Sequence, residues 1–441
     1  MTNQEIKQIV EQRRCFSHRN YDQKSYRIGV NAAIYYDSAK PEPDNRIPVP
    51  FVRRAIKLIK GYFAKVGNIR YTDKDGWFDE NIKPIYDRNG EELSTAELFE
   101  DACTYGSGFE LHWYAKDDSG KEQFYFGTLP IDQCIPIYTD DLKPRLKEFV
   151  WYRKMQDGTE CATWYDAQQY IEYRRKAKEK DFAEETSGLH LYGRVPVIEA
   201  TVDRDKRNLF DHCLPLIDDF DKRISGVANE HDKFADSILL LGQKIDAVTK
   251  DENGKTQVDK LREMRVLDNL SSLFDDIKKA AGYLERNVND SFINSTLERN
   301  ERLIYEMLCI ANPNDDQFAT ASGIAQLYKL LGMEYMVSDI EAYFVRALYS
   351  RIELIAGHKT SDIQDKENAE YVTVTFRRNL PFDLANTILL AATATGGKPI
   401  MSQETAMRLF PASVIEDPTA EIERIKAEGV QLPTIPADGD M

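Results

Sequence analysis

Residues Leu209 to Leu241 read LFDHCLPLIDDFDKRISGVANEHDKFADSILLL, and their spacing decides the fold. Apolar or semi-polar residues fall at Ile217, Phe220, Ile224, Val227, His231, Phe234, Ile238 and Leu241. The steps alternate between three and four, the 3.5-residue period by which a long helix lies along a neighbouring helix. Such a helix needs a partner, either a second helix of the same chain or an oligomer seam. Ile217, Phe220, Ile224, Val227 and Phe234 are the expected seam residues.

Working outward, the segment SFINSTLERNERLIYEMLCIAN from Ser291 is again helical, with Phe292, Thr296, Leu303, Met307 and Ala311 near one face. Pro313 closes it, because the residue before a proline is pushed out of the α region. After the polar stretch NPNDDQFATAS a very long helix begins near Gly323, marked by Ile324, Leu327, Leu331, Ile340, Phe344, Leu348, Ile352 and Ile355. At 1.5 Å per residue it makes a rod of roughly 50 Å, with Gly332 a softer point midway. One strand, YVTVTFRR, and a final helical region from Phe382 to about Glu428 follow.

Upstream, residues 1 to about 70 are helical pieces broken by PEPDNRIPVPF. From Ile69 to about Ile198 the runs FELHWYA, QFYFGTLP, CIPIYT and EFVWYRKM are short, aromatic and β-branched, with turn signals between them. The fold class is therefore α+β, with antiparallel strands and long helices. Between Gly242 and Glu285 the pattern is mixed and includes the charged turn KDENGKTQ.

Composition sets further limits. The 441 residues are 42% hydrophobic and 30% charged, with a formal net charge of -16. A protein that grips DNA phosphates is usually basic, so a DNA partner would be held loosely. Six cysteines scattered singly, without a CxxC pair, point to a reducing setting and no structural zinc. No apolar run reaches the roughly 18–20 residues that span a bilayer, and the polar opening MTNQEIKQIVEQRR lacks the core of a signal peptide.

The search for chemistry is mostly negative. Gly254 to Thr256 spell GKT, but Thr249 stands where a phosphate-binding loop needs its first glycine, so a solvated turn is the better reading. Asp218, Asp219 and Asp221 could hold a metal only if they converged, and adjacent helix positions diverge, so they read as a solvated face. Asp73 and Asp75 precede Gly76, but Trp77 occupies a position where a calcium loop wants oxygen. His231 reads as a packed, hydrogen-bonded histidine. No catalytic residue, metal or cofactor is expected.

The order of segments is informative in another way. NRIPVPFVRRAIKLIKGYF, ACTYGSGFELHWYAKDDSG, LPIDQCIPIY and GRVPVIEATVDRDKRNLFDHCLPLIDDFDKRISGVANEHDKFADSIL are followed by FATASGIAQLYKLLGMEYM, FRRNLPFDL and MSQETAMRLFPASVIEDPTAEIERIKAE. Together, from Asn45 to Glu428, they resemble the portal family of long-tailed phages. The resemblance implies a wing at residues 1–208, a first stem helix at 209–237, a clip at 238–288 and a second stem helix at 289–311. It further implies a tunnel loop at 312–322, the wing's long helix and strand at 323–381 and a crown at 382–428. Residues 429–441 read as a disordered tail.

The same resemblance implies a homo-oligomeric ring, commonly of twelve subunits, at one capsid vertex of the virion, assembled in the host bacterial cytoplasm. The ring would pass double-stranded DNA and dock the terminase large subunit, a head-completion adaptor, the major capsid protein and scaffolding protein. No membrane is involved. Asn312, Asn314, Asp315, Asp316 and Gln317 would line the channel, and Lys250, Asp251, Glu252, Asn253 and Lys255 would meet the adaptor. The alternatives are a metal- or nucleotide-dependent DNA-processing enzyme and another ring-forming head-tail adaptor.

Overall fold

The aromatic and β-branched runs form strands because alternate side chains can enter a core on each face of a pleated sheet. In chain order these are β1 (Ile69–Thr72), β2 (Ser107–Lys116), β3 (Glu122–Leu129), β4 (Cys134–Tyr138), β5 (Leu146–Lys154), β6 (Glu160–Tyr165), β7 (Gln169–Arg175), β8 (Ala183–Leu189), β9 (Val197–Thr201), β10 (Ile238–Leu241), β11 (Val266–Asp268), β12 (Gly282–Leu284) and β13 (Thr373–Phe376). The computed structural model describes residues 1–13, 17–35, 44–64, 67–73, 75–116, 120–234, 238–241, 266–268, 282–284, 290–312, 323–358, 366–378, 384–396, 399–410, 414–415 and 418–427. The chain is mixed α+β and divides into two units. One is Met1–Thr320 with Leu327–Arg377, the other Ala321–Gln326 with Arg378–Met441.

In the first unit β4 to β8 make a five-stranded antiparallel meander, and β3, β2 and β9 a three-stranded antiparallel sheet. Phe109 and Leu111 of β2 pack with Phe149 of β5 and Val197 of β9, joining the two sheets face to face. The helix Asn3–Arg13 covers the other face of the meander, setting Ile6 and Val10 against Val150, Ala162, Trp164 and Tyr173. β1 pairs antiparallel with β13, Ile69 opposite Phe376, which ties the chain after the long helix back to its beginning. β10 pairs parallel with β11 and antiparallel with β12.

The main core lies between the inner face of β3–β2–β9 and three helices, Phe51–Phe63, Glu91–Tyr105 and Gly323–Ala356. The last is 34 residues long and runs unbroken through Gly332, burying Val337, Ile340, Phe344, Leu348, Ile352 and Ile355 at the spacing of one face. Phe63, Phe99 and Phe344 meet at its centre. The link from Tyr105 into β2 reads YGSGF, and both glycines are required. Gly106 has φ +85, where an added Cβ would stand 2.0 Å from the Lys206 carbonyl oxygen, and a Cβ on Gly108 would stand 2.8 Å from that of Leu98.

That close turn delivers Glu110 beneath Arg351. The Arg351 side chain is fully buried, and each of its three nitrogens finds an acceptor. Nε and Nη2 donate to the two Glu110 carboxylate oxygens at 2.8 and 2.6 Å, while Nη1 donates to Glu91 Oε1 at 2.9 Å and Thr95 Oγ1 at 2.7 Å. Around these, His112 Nε2 lies 2.9 Å from Glu110, Tyr71 donates to Glu91 at 2.7 Å, and the Phe126 ring lies 4.9 Å from the guanidinium. Burial alone would push the Glu110 carboxyl up. The Arg351 charge and the hydrogen bonds from His112 and Arg351 outweigh it and hold the group down at about 2.

The extent of the first long helix corrects the sequence expectation. The helix expected to reach Leu241 spans only Leu214–Phe234. It starts late because Pro215 is tolerated only in a first turn, where its missing N–H is not needed, and Ile238–Leu241 is strand, as an unspaced aliphatic run permits. Of the residues expected at a seam, Ile217 and Phe220 are buried in the subunit's own core, 1% and 6% exposed, with Ile224 packed beside them. Of the expected seam residues, Val227 alone stands exposed, at 38%; the side chain of Phe234 lies outside the described residues.

Replacing Arg351 by Met strands two buried carboxylates and is expected to cost about 3–5 kcal/mol in urea unfolding, part of which Glu110→Gln restores in the double variant. The sign of the acid dependence is fixed by Glu110. A carboxylate held low in the folded state stabilises it above about pH 4.3 and loses that contribution as pH falls toward 2, so Glu110→Gln should flatten this limb of the stability curve.

Candidate functional site

The helices Leu214–Phe234 and Asp290–Met307 pair because each carries an apolar stripe and because one polar contact sets their register. Ile304, Tyr305 and Leu308 are buried in the same core as Ile217 and Phe220. Asn300, 4% exposed, donates to Asp219 at 3.0 Å, and His212 Nε2 lies 3.0 Å from the Met307 carbonyl oxygen. Phe51 meets Phe220 and Tyr305 edge to face at 5.2 and 5.8 Å, locking the pair to the helix Phe51–Phe63.

The chain before Phe51 is laid along the first of these helices as an extended strap. Val49 N donates to Asp221 at 3.0 Å, Ile47 N to Ser225 Oγ at 3.0 Å, and Asn45 N to Asn229 Oδ1 at 2.5 Å. Four helical residues rise about 6.0 Å and two extended residues about 6.6 Å, so alternate amides of the strap meet acceptors at every fourth helix position. Side chains here replace the sheet partner that an extended chain ordinarily needs. Asn31 adds a donor to Asp221 at 2.7 Å, and Tyr26 donates to Asp218 at 2.6 Å. Burial, which outweighs the bonds from Asn31 and Val49, pushes the Asp221 carboxyl up to about 6.

The second helix ends in a six-residue turn. Cys309 N bonds the Glu306 carbonyl at 3.1 Å and Ile310 N that of Tyr305 at 3.1 Å, with Cys309 at φ 53. This is the Schellman pattern, with cysteine where glycine is usual, and it turns the chain sharply toward Asn312.

The three aspartates of the first helix each hold a different partner. Asp218, Asp219 and Asp221 diverge as expected, but they are not a solvated face. Asp221 is fully buried and holds the strap, Asp218 accepts from Tyr26, and Asp219 pairs with Arg223 at 2.6 Å. Asp73 accepts from Gly76 N and Phe78 N, capping the short helix Trp77–Asn81. His231 is exposed rather than packed. Among the described residues, no three His, Cys, Asp or Glu side chains are grouped to hold a metal ion. The Glu110–His112 pair has the chemistry of a dyad, yet both residues are enclosed, at 0% and 2% exposure, and Arg351 occupies the carboxylate.

Of the expected channel residues only Asn312 is described, partly buried just beyond the turn. Asn314, Asp315, Asp316 and Gln317 lie outside the described residues, as do Lys250, Asp251, Glu252, Asn253 and Lys255 and the tail 429–441. The strap acceptors Asp221, Ser225 and Asn229 were not singled out by periodicity. Their signal is small polar residues at i, i+4 and i+8 inside an otherwise apolar repeat.

Two paired helices, Leu214–Phe234 and Asp290–Met307, with an insertion between them and a 34-residue helix after them set the order of elements. Residues 3–431, nearly the whole chain, match the family described as Phage portal protein, SPP1 Gp6-like, and the chain belongs to that family. Comparison with curated proteins gives no match.

Asp221→Ala leaves the Val49 and Asn31 donors without their acceptor and is expected to cost about 1–3 kcal/mol, with faster amide exchange at Val49. The pH sign is opposite to that of Glu110. A buried carboxyl raised to about 6 opposes folding fully above that pH and is relieved as pH falls toward about 3.9, so wild type should gain stability over that window and Asp221→Ala should gain less.

Proposed function

We propose that the chain is the repeating subunit of a closed ring at one capsid vertex, the conduit through which double-stranded DNA enters and leaves the phage head. The observation that carries this reading is the family match over residues 3–431, in a chain whose order is stem helix, insertion, stem helix and long helix. Portal proteins are structural, so the subunit positions and passes DNA without turning over a substrate. In this reading residues 238–288 form the clip, where Lys250, Asp251, Glu252, Asn253 and Lys255 meet the terminase large subunit during packaging and a head-completion adaptor afterwards. Capsid and scaffolding proteins hold the ring's rim.

The acidic balance suits a conduit. A bore lined with Lys and Arg would release condensed counterions and bind the duplex by many kcal/mol, opposing transport. A chain of net charge -16 keeps phosphate at a distance instead. In the ring, Asn312 to Ser322 form the narrowing loop, and Asp315 and Asp316 repeat as a belt of like charge acting over a Debye length of roughly 8–10 Å.

Light scattering and class-averaged electron micrographs of the purified chain should give a particle many times 50.7 kDa with a central hole. A strictly monomeric species at every salt and protein concentration would overturn the reading. In rings carrying Asp315→Lys and Asp316→Lys, DNA packaged per procapsid should fall at low salt and recover as ionic strength rises; undiminished packaging at low salt would remove the loop's charge from the mechanism.

A further inference from the structure

The helices Ser17–Ile28, Phe51–Phe63 and Glu91–Tyr105 of the first unit line a cleft of about 1170 Å³, to which residues 128–132 also contribute. The first helix presents Tyr21, Lys24 and Ile28 to it, the second Arg53 and Lys57, and the third Leu93, each set at the spacing of one helix face. Tyr21, Ile28 and Leu93 are 61%, 52% and 63% exposed, although they are large and mostly apolar. Six basic and four acidic side chains line the cleft, an excess of cations in a chain of net charge -16. Arg27 pairs with Asp101 at 2.7 Å and Lys60 with Glu100, whereas no carboxylate among the described residues pairs with Lys24, Arg53 or Lys57. Arg53 donates instead to the Ile28 carbonyl oxygen at 3.3 Å.

We infer that this cleft takes an acidic amphipathic segment of another protein, with its apolar side chains on Tyr21, Ile28 and Leu93 and its carboxylates on Lys24, Arg53 and Lys57. Charge selects the occupant. A chain of net charge -16 repels an acidic peptide over most of its surface, so only a local excess of cations can hold one, and here that excess lies beside apolar anchors. A groove between helices, with anchors one turn apart along its walls, suits a helical segment laid lengthwise. A small anion is disfavoured because the cleft exceeds the roughly 300–1,000 Å³ of small-molecule pockets and would leave the apolar side chains unused. Duplex DNA carries a charge about every 1.7 Å and could not keep clear of Glu97 and Asp132, which line the same cleft, whereas a peptide places its carboxylates singly. The cleft lies within one subunit, so the inference stands apart from the ring reading.

The test is fluorescence anisotropy on the full chain, in whatever assembly it forms. The probe is a labelled peptide of about five helical turns with leucines along one side and glutamates along the other. Binding should saturate at one peptide per subunit and weaken as salt rises. It should weaken about tenfold or more when Lys24→Glu is combined with Lys57→Glu, and again in a separate Leu93→Ser chain. All three positions are exposed, so the fold is kept. The same peptide with lysine in place of glutamate should not bind wild type but should bind the Lys24→Glu, Lys57→Glu chain, a gain that misfolding cannot mimic. Binding that fails to saturate, or that is equally strong for a glutamate peptide without leucines, overturns the inference. So does competition by a DNA duplex that is lost in the Lys24→Glu, Lys57→Glu chain, which would make the cleft a phosphate site. If that double substitution leaves only a 50.7 kDa species where wild type forms a larger particle, the occupant is a second copy and the inference fails.

Discussion

One buried guanidinium governs how the first unit is put together. Arg351 sits near the end of the long helix and gathers Glu91 and Thr95 from a second helix, Glu110 from β2 and, through Glu91, Tyr71 from β1. Each partner is far off in sequence, Glu110 by 241 residues and Glu91 by 260. A hydrophobic contact tolerates sliding, whereas a two-pronged bond to a carboxylate does not. Sealing an ion group in the interior gains little net stability over an apolar substitute, so its use here is to fix one arrangement of helix, sheet and hairpin. The Gly106 and Gly108 turn serves that arrangement, since without it β2 could not bring Glu110 underneath the helix.

The helices Leu214–Phe234 and Asp290–Met307 are organised by a related rule, that a buried backbone donor needs an acceptor. The strap of residues 44–50 has no sheet to join, and the helix Leu214–Phe234 provides side-chain acceptors in its place. Three acidic residues that look surplus in a chain of net charge -16 are acceptors within the subunit. Asp221 holds Val49, Asp218 holds Tyr26, and Asp219 binds the helix Asp290–Met307 through Asn300. The negative charge is thus partly internal architecture and only partly a feature of the surface.

The long helix is legible in the sequence because its apolar spacing persists to Ile355, just before Gly357, and the strands are legible because alternation and aromatic content survive without knowledge of their partners. A heptad pattern cannot say whose helix fills the seam, and Ile217 and Phe220 pack in the subunit's own core, Phe220 against Phe51. Arg351 is illegible for the opposite reason. A lone arginine in ALYSRIELIAG looks like a solvated position, and the carboxylates that bury it share no local pattern with it. Of the candidate site, the channel and clip residues follow from family resemblance, since polar loops carry no periodicity from which position can be read.

The strap also has a built-in length. Its repeat exceeds that of the helix by about 0.6 Å at each step, so the two scales slide apart like a vernier, by about 1.2 Å after two steps. Hydrogen bonds absorb that much and little more. Three amides fall in register, at Val49, Ile47 and Asn45, and at the far end Asn45 adds a side-chain bond to Asp232 at 2.6 Å. A chain segment can therefore be measured off along this helix only for a fixed span, whatever lies beyond it. The position of the helix Leu214–Phe234 relative to the helix Phe51–Phe63 is gauged by the mismatch itself, and a residue inserted between Ile47 and Val49 would move Ile47 and Asn45 off their acceptors while Val49 kept its own.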